Sequence, residues 1–300
     1  MDINAYNLNE GFFYKQKTIL QKITVQGVGL HSGKKVNLTI TPTPSNSGIV
    51  FKRSDIDNDF ESLIPAKWNL VTDATMCTKI TNQFGNSVST IEHLMAAFMG
   101  AGITNALVTL DAEEVPIMDG SSVVFSNLIF QSGLLEQETI WKKIKILKEI
   151  KVESDRGWAS LSPFDYLKIN VDFDFNGKLS DKFPKNYFFD WQKHDFAQML
   201  SSARTFGMYE DAKKLQSMGF AKGASLDNAI VIDKDIVMNK EGLRFEDELV
   251  RHKVLDVIGD LSLAQGMIEG YFQGFNTGHY LNNQLLRKLF SDSTSYSLSS

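Results

Sequence analysis

The chain has 300 residues, 43% hydrophobic and 22% charged, so it carries ample apolar material for a core and is neither a disordered chain nor a stapled miniature. Its net charge of -5, with 25 lysines against six arginines, disfavours a general nucleic-acid binder. The single cysteine, Cys77, excludes an internal disulfide and an all-cysteine zinc site and fits a reducing, cytoplasmic compartment; no apolar run is long enough to span a membrane.

Residues 1–14 form a polar leader without the basic-then-apolar pattern of a secretion signal. Residues 18–41 alternate and are rich in β-branched side chains, which predicts two strands joined through the glycine-rich turn Val28-Gly29-Leu30-His31. A loop around Pro42 and Pro44 leads to a strand at residues 49–53, an acidic loop at 55–59 and short strands near 63–68 and 75–81. Ser89-Thr90-Ile91-Glu92 fits a capping box, so a short helix should begin there with Glu92 and His93 in its first turns. Residues 105–110 read as a buried strand and 122–132 as an apolar helix closed by Gly133. The polar stretch 136–139 marks the expected boundary, near residue 138, between an N-terminal domain (15–138) and a C-terminal domain (139–290). Beyond it, residues 145–153 and 158–175 alternate like strands, with turns at 155–157 and 176–177. A helix near 194–201, an insertion at about 207–232, a long helix at 245–265, a strand at 268–273, a turn holding His279 and a helix at 281–290 complete the order. Residues 291–300, with six serines, read as a frayed, flexible tail. The recurring β-then-helix order predicts an α+β fold of two domains of the same general kind.

The long helix is the most informative element. Val250, Val254, Val257, Ile258 and Leu261 form one stripe, and His252, Asp256 and Asp260 share the opposite face at successive turns. A solvated polar face is one reading of that triple. Leu249, Gly259 and Leu263 lie on the same side, however, and ionisable groups in apolar surroundings must be paired or metal-bound. His252 and Asp256, one turn apart, can reach a single cation. A third ligand must come from elsewhere. His93 is the best candidate, because Glu92 beside it offers a carboxylate able to take a proton from metal-bound water. Glu92 as a purely capping carboxylate fits the spacing equally. His279 follows Thr277-Gly278, where backbone can approach a ligand, and Asp260 could orient and charge it; an exposed loop histidine is the alternative. Lys253 and Phe206, taken singly, are uninformative.

Six blocks together carry a resemblance. Val28-Gly29-Leu30-His31-Ser32-Gly33-Lys34, Ser89-Thr90-Ile91-Glu92-His93-Leu94, Pro116-Ile117-Met118-Asp119-Gly120-Ser121, Ala203-Arg204-Thr205-Phe206-Gly207, Leu243-Arg244-Phe245-Glu246-Asp247-Glu248 leading to Arg251-His252-Lys253, and Thr277-Gly278-His279 occur in that order. Over residues 16–290 or so the chain closely resembles the UDP-3-O-acyl-N-acetylglucosamine deacetylases, zinc amidases of lipid A synthesis. The resemblance implies two domains of like topology, each a β-sheet layer packed on helices as a two-layer sandwich, with the active site between them. It implies one catalytic zinc ion held by His93, His252 and Asp256, and Glu92 as the base. His279, held by Asp260, would stabilise the oxyanion and protonate the leaving amine, with Thr205 helping to hold the oxyanion. Phe206 and Lys253 would contact the sugar and nucleotide. The insertion at 207–232 resembles the family's acyl-chain passage, to which Met208, Ala212, Leu215, Ala221, Ala229 and Val231 would offer an apolar wall. A small-molecule substrate, a cytoplasmic location and no nucleic-acid partner follow; no protein partner is implied.

The sequence departs from the family where Asn276 replaces a basic residue three positions before His279, and where the glycine pair of the insertion reads Gly223-Ala224. Two other readings stand beside the deacetylase. Two histidines and one carboxylate are also the ligand set of non-haem iron enzymes. A nucleotide-sugar or lipid-precursor binding protein would use the same cleft without catalysis.

Overall fold

The computed structural model describes residues 15–175 and 177–299. The expected leader, Asn176 of the expected turn and Ser300 lie outside them. The helices are α1 (Glu92–Ala101), α2 (Val123–Ser132), α3 (Phe196–Met199), α4 (Tyr209–Ser217), α5 (Glu248–Ser262) and α6 (His279–Ser291). None is long and apolar enough to cross a membrane.

The predicted glycine-turn hairpin forms from Ile23–Val28 and Lys35–Pro42, antiparallel, with Ile23 opposite Ile40 and Val28 opposite Lys35. Alternation along Lys35–Pro42 turns Val36, Leu38 and Ile40 inward. Ala106–Leu110 pairs antiparallel with its other edge, Ile49–Arg53 runs parallel to Ala106–Leu110, and Leu63–Pro65 closes a five-stranded sheet. A second sheet, of seven strands, is built around Met267–Phe275. That strand pairs antiparallel with Gly157–Pro163, parallel with Lys168–Asp172 and, at its start, parallel with Lys143–Ile146. Helices pack on both sheets: α2 on Ile23–Val28, α5 on Lys168–Asp172 and Asn186–Asp190, and α6 on Ile150–Ser154 and Gly157–Pro163. The fold is therefore mixed α+β, of two-layer sandwich character.

Helices α1 and α5 pack against each other, and this seam positions the chemistry. The helices approach so closely that a Cβ at Gly259 would stand 2.1 Å from the Glu92 carbonyl oxygen. Only glycine admits that crossing, and it sets Glu92 and His93 against the buried face of α5.

Several expectations need correction. The polar stretch 136–139 lies within the strand Leu134–Ile140, which pairs antiparallel with Lys15–Ile19. The tail expected to fray carries the strand Tyr296–Ser299, paired antiparallel with Lys143–Ile146, because that edge offered unpaired backbone groups over the buried Ile144 and Ile146. His279 opens α6 and does not sit in a turn. The capping box does not form: Thr90 takes φ +56°, the N-cap is Ile91 without a side-chain cap, and the Ser89 hydroxyl donates to the Glu113 carbonyl instead. Two small three-stranded sheets also stand out. One holds the predicted insertion, with strands Phe206–Met208, Ile230–Asp233 and Ile236–Val237. The other, Val71–Asp73, Lys79–Thr81 and Ser87–Val88, was legible in the sequence only as a short strand.

Candidate active site

His252, Asp256 and Asp260 project from one face of α5, and each is 2% exposed, which excludes the solvated-face reading. His93, 5% exposed, comes to them from the first turn of α1. The Asp256 Oδ1 atom lies 3.4 Å from His252 Nε2 and 3.6 Å from His93 Nε2. Among the described residues these three side chains form a group able to hold a metal ion, their ligand atoms all within 4.8 Å. Tetrahedral zinc bound at about 2.0–2.1 Å spaces its ligands roughly 3.3–3.4 Å apart, so the trio is close to the size of the ion.

Hydrogen bonding and charge agree with that fit. Asp256 Oδ1 is buried without a hydrogen-bond partner among the described residues, a costly arrangement that a cation would relieve. Its other oxygen, Oδ2, accepts from Lys253 Nζ at 2.6 Å. Burial would raise the Asp256 carboxyl, but its electrostatic interactions with His252 and with the Lys253 ammonium outweigh it and hold the group well below its ordinary value. His252 is driven down to about 3 by burial above all, so it is a neutral imidazole. Its Nδ1, 3.0 Å from the Ala203 carbonyl oxygen, must carry the proton, which turns the Nε2 lone pair toward Asp256. His93 Nδ1 has no such partner among the described residues; its ring is set by edge-on packing against His252, centroids 4.8 Å apart.

Facing the trio is an acid–base pair. Glu92 Oε1 lies 3.8 Å from His279 Nε2, and Glu92 Oε2 accepts from the Thr78 amide at 2.9 Å. The Glu92 carboxylate is therefore spent inside the site and not on a helix cap. Burial is the main influence on it and raises its pKa, against the pull of His279 and His93. His279 Nδ1 stands 2.9 Å from Asp260 Oδ2. Burial disfavours the imidazolium, yet the charges of Asp260 and Glu92 overcome it and raise His279 to about 9. Asp260 is itself fixed, accepting from the Thr78 hydroxyl at 2.5 Å and from Asn282 Nδ2 at 2.8 Å.

Every site residue expected from the sequence except Asp260 lines one cavity of about 400 Å³. Asp260 stands behind His279. Thr205 is held there by backbone bonds, its amide donating to the Gly120 carbonyl at 2.8 Å and its carbonyl accepting from the Ile230 amide at 2.8 Å. The preceding Arg204 is anchored on the fully buried Glu248 at 2.8 Å, which ties this segment to the start of α5. Phe206, Met208, Ala212, Leu215, Ala221, Ala229 and Val231 form an apolar side of the cavity. Lys253 lines it too, although its ammonium is engaged with Asp256. Asn276, at φ +44°, donates to Asp174 Oδ1 at 2.6 Å and accepts from the Asp174 amide at 2.9 Å, so it closes a loop at the cavity edge.

Thr78, Asn282 and the aromatic lining residues Phe173 and Phe175 were not legible as site residues in the sequence. Thr78 and Asp260 are 182 positions apart, and no local pattern relates them. Asn282 is one helical turn beyond His279, which was the available signal.

Comparison with known proteins finds similarity to named deacetylases. The LpxC family model, described as UDP-3-O-acyl N-acetylglycosamine deacetylase, matches residues 16–291. The chain is 45% identical over 278 residues to a Mannheimia succiniciproducens protein named UDP-3-O-acyl-N-acetylglucosamine deacetylase, covering 93% of this chain and 90% of the relative. A Shewanella denitrificans protein of the same name is 45% identical over 283 residues, covering 94% and 92%. A Pasteurella multocida protein of that name is 44% identical over 278 residues.

Proposed function

Because this chain belongs to the UDP-3-O-acyl N-acetylglycosamine deacetylase family, we propose that it hydrolyses the acetamide of UDP-3-O-acyl-N-acetylglucosamine. The products are acetate and the free amine, UDP-3-O-acyl-glucosamine, in the committed step of lipid A synthesis. The family is zinc-dependent, and His93, His252 and Asp256 have the donor types, spacing and orphaned carboxylate oxygen that suit that ion. Bound there, zinc supplies a Lewis acid and brings the pKa of its water toward about 7.

The remaining work falls to the protein. Glu92, oriented by the Thr78 amide, accepts the proton of the attacking water. The water oxygen adds to the acetamide carbonyl carbon, and negative charge develops on the carbonyl oxygen. The Thr205 hydroxyl and the His279 cation stabilise that charge. His279 then donates a proton to the nitrogen as the C–N bond breaks, while Asp260 holds the ring and its charge. Phe206 and Lys253 receive the sugar and nucleotide part, and the apolar side made by Met208, Ala212, Leu215 and Ala221 receives the acyl chain.

The observation that carries this reading is the Glu92–His279 pair placed opposite the metal-binding trio in one cavity. A binding protein has no use for it, nor has a non-haem iron site. Residues 15–138 and 139–290 are read as the two domains that close on the cavity. In support, the five-stranded sheet draws only on residues 23–110 and the seven-stranded sheet on residues 143–299, which extends the second unit through the tail strand. A cytoplasmic location is part of the proposal, supported by a lone cysteine that is a free, buried thiol pushed up to about 12 mainly by burial.

Amine release by the wild-type protein and by Glu92→Ala, each with its zinc content measured, tests the assignment. The variant is expected to keep its zinc and to lose about 10²–10⁴-fold in kcat. Equal zinc content with a near-normal rate would remove Glu92 from the mechanism.

A further inference from the structure

Glu114 is 1% exposed and takes no part in the mechanism above. Its carboxylate is held by neutral donors. Oε1 accepts from the His31 amide at 2.8 Å and the Thr90 hydroxyl at 3.0 Å, and Oε2 accepts from the Ser32 amide at 2.8 Å. A carboxyl group buried this deeply is costly unless its lone pairs are satisfied, and two successive main-chain amides make a small anion nest for it.

The donors come from two different parts of the site. Thr90 lies two residues before Glu92, in the segment that enters α1. That segment is tied to the Glu114 loop by backbone bonds, the Ser89 amide donating to the Glu113 carbonyl at 3.0 Å and the Val115 amide to the Ser89 carbonyl at 3.0 Å. His31 and Ser32 belong to the glycine-rich turn, which is seated on the insertion. There the Gly223 amide donates to the Leu30 carbonyl at 3.0 Å and the Lys222 amide to the His31 carbonyl at 3.2 Å. The Ala221 amide reaches His31 Nδ1 at 3.4 Å, and the His31 ring packs edge-on against Phe220, centroids 5.4 Å apart.

The stack is too tight for side chains. A Cβ on Gly29 would lie 2.3 Å from Glu114 Oε2, and one on Gly223 would lie 2.2 Å from the Gly29 carbonyl oxygen. Glu114, the turn and residues 221–223 thus form one continuous strut. It runs from the start of α1 to the part of the insertion where Ala221 and Ala224 line the cavity.

We propose that Glu114 is a positioning residue that fixes the 220–224 wall relative to Glu92 and so sets how strongly the enzyme favours a long acyl chain. The proposal rests on the reading of the insertion as the acyl passage. Zinc-loaded wild type, Glu114→Gln and Glu114→Asp are compared on two UDP-sugar substrates that differ only in a long or a short 3-O-acyl group. In Glu114→Gln an amide N–H meets a main-chain N–H. KM for the long-acyl substrate is then expected to rise about 10-fold or more with kcat within about 3-fold, while the short-acyl constants move less than about 3-fold. Glu114→Asp, which keeps both acceptor oxygens, is expected to fall between. Amide hydrogen exchange at residues 220–224 should quicken by about 10-fold or more in Glu114→Gln, with α5 unchanged.

Equal losses of kcat on both substrates would overturn the proposal. So would a wild-type preference for the long chain retained in full by Glu114→Gln, or unchanged exchange at 220–224. A wild-type enzyme indifferent to acyl length would overturn the passage reading and this proposal together.

Discussion

At His279, burial and two carboxylates act in opposite directions. Desolvation favours the neutral ring, and Asp260 and Glu92 favour the cation strongly enough to bring the group to about 9. If the cation is the form that serves as acid, activity is present below that value and is lost as pH rises through it. Asp260→Ala removes the nearer carboxylate, so the basic limb of the kcat/KM profile should move to lower pH by about 1–3 units. A limb that stays in place would mean that Asp260 does not charge His279. The metal-binding trio was legible in the sequence at this scale, because a one-turn spacing puts His252 and Asp256 on one face and the apolar neighbours weigh against a solvated face, which burial in the structure then excludes. Thr78 was not legible. Its amide serves Glu92 and its hydroxyl serves Asp260, and both contacts exist only once the small sheet around Lys79–Thr81 is folded against the α1–α5 seam.

Between elements, the α1–α5 crossing governs how the site is assembled. Glu92 and His93 belong to one helix, and His252, Asp256 and Asp260 to the other, so a small change in their separation alters the distance from His93 to Asp256 and to His252. Gly259→Ala places a methyl group 2.1 Å from the Glu92 carbonyl oxygen, where backbone must give way. We expect a loss of about 1–3 kcal/mol in urea unfolding, with weaker zinc binding, since His93 and Asp256 part together. Unchanged stability and zinc affinity would mean that the seam is not rigid. Strand and helix order was largely legible from alternation and apolar periodicity. The capping box was misread because Thr90 adopts a left-handed backbone that local pattern does not announce. The tail strand was misread because a serine-rich segment has no apolar face, and only the open edge of Lys143–Ile146 gives it a place.

For the molecule as a whole, the substrate is amphiphilic and so is the cavity. Charged and hydrogen-bonding groups gather at the α1–α5 seam, and apolar side chains of the insertion line the other side. If the acyl chain occupies that side, each methylene removed from it should weaken binding by about 0.8 kcal/mol while chemistry at the acetamide is preserved. A series of substrates of decreasing acyl length, compared by KM and kcat, reads this directly, and binding that does not vary with length would refute it.

Metal-dependent hydrolysis at His93, His252 and Asp256 is the central claim. The most direct measurement is acetate and amine release from UDP-3-O-acyl-N-acetylglucosamine by purified protein, before chelation, after chelation, and after one equivalent of zinc is restored. Loss of activity with the metal and its recovery at that stoichiometry are predicted. Activity that survives complete removal of the metal, or folded zinc-loaded protein that releases no amine, would exclude metal-dependent deacetylation at this site.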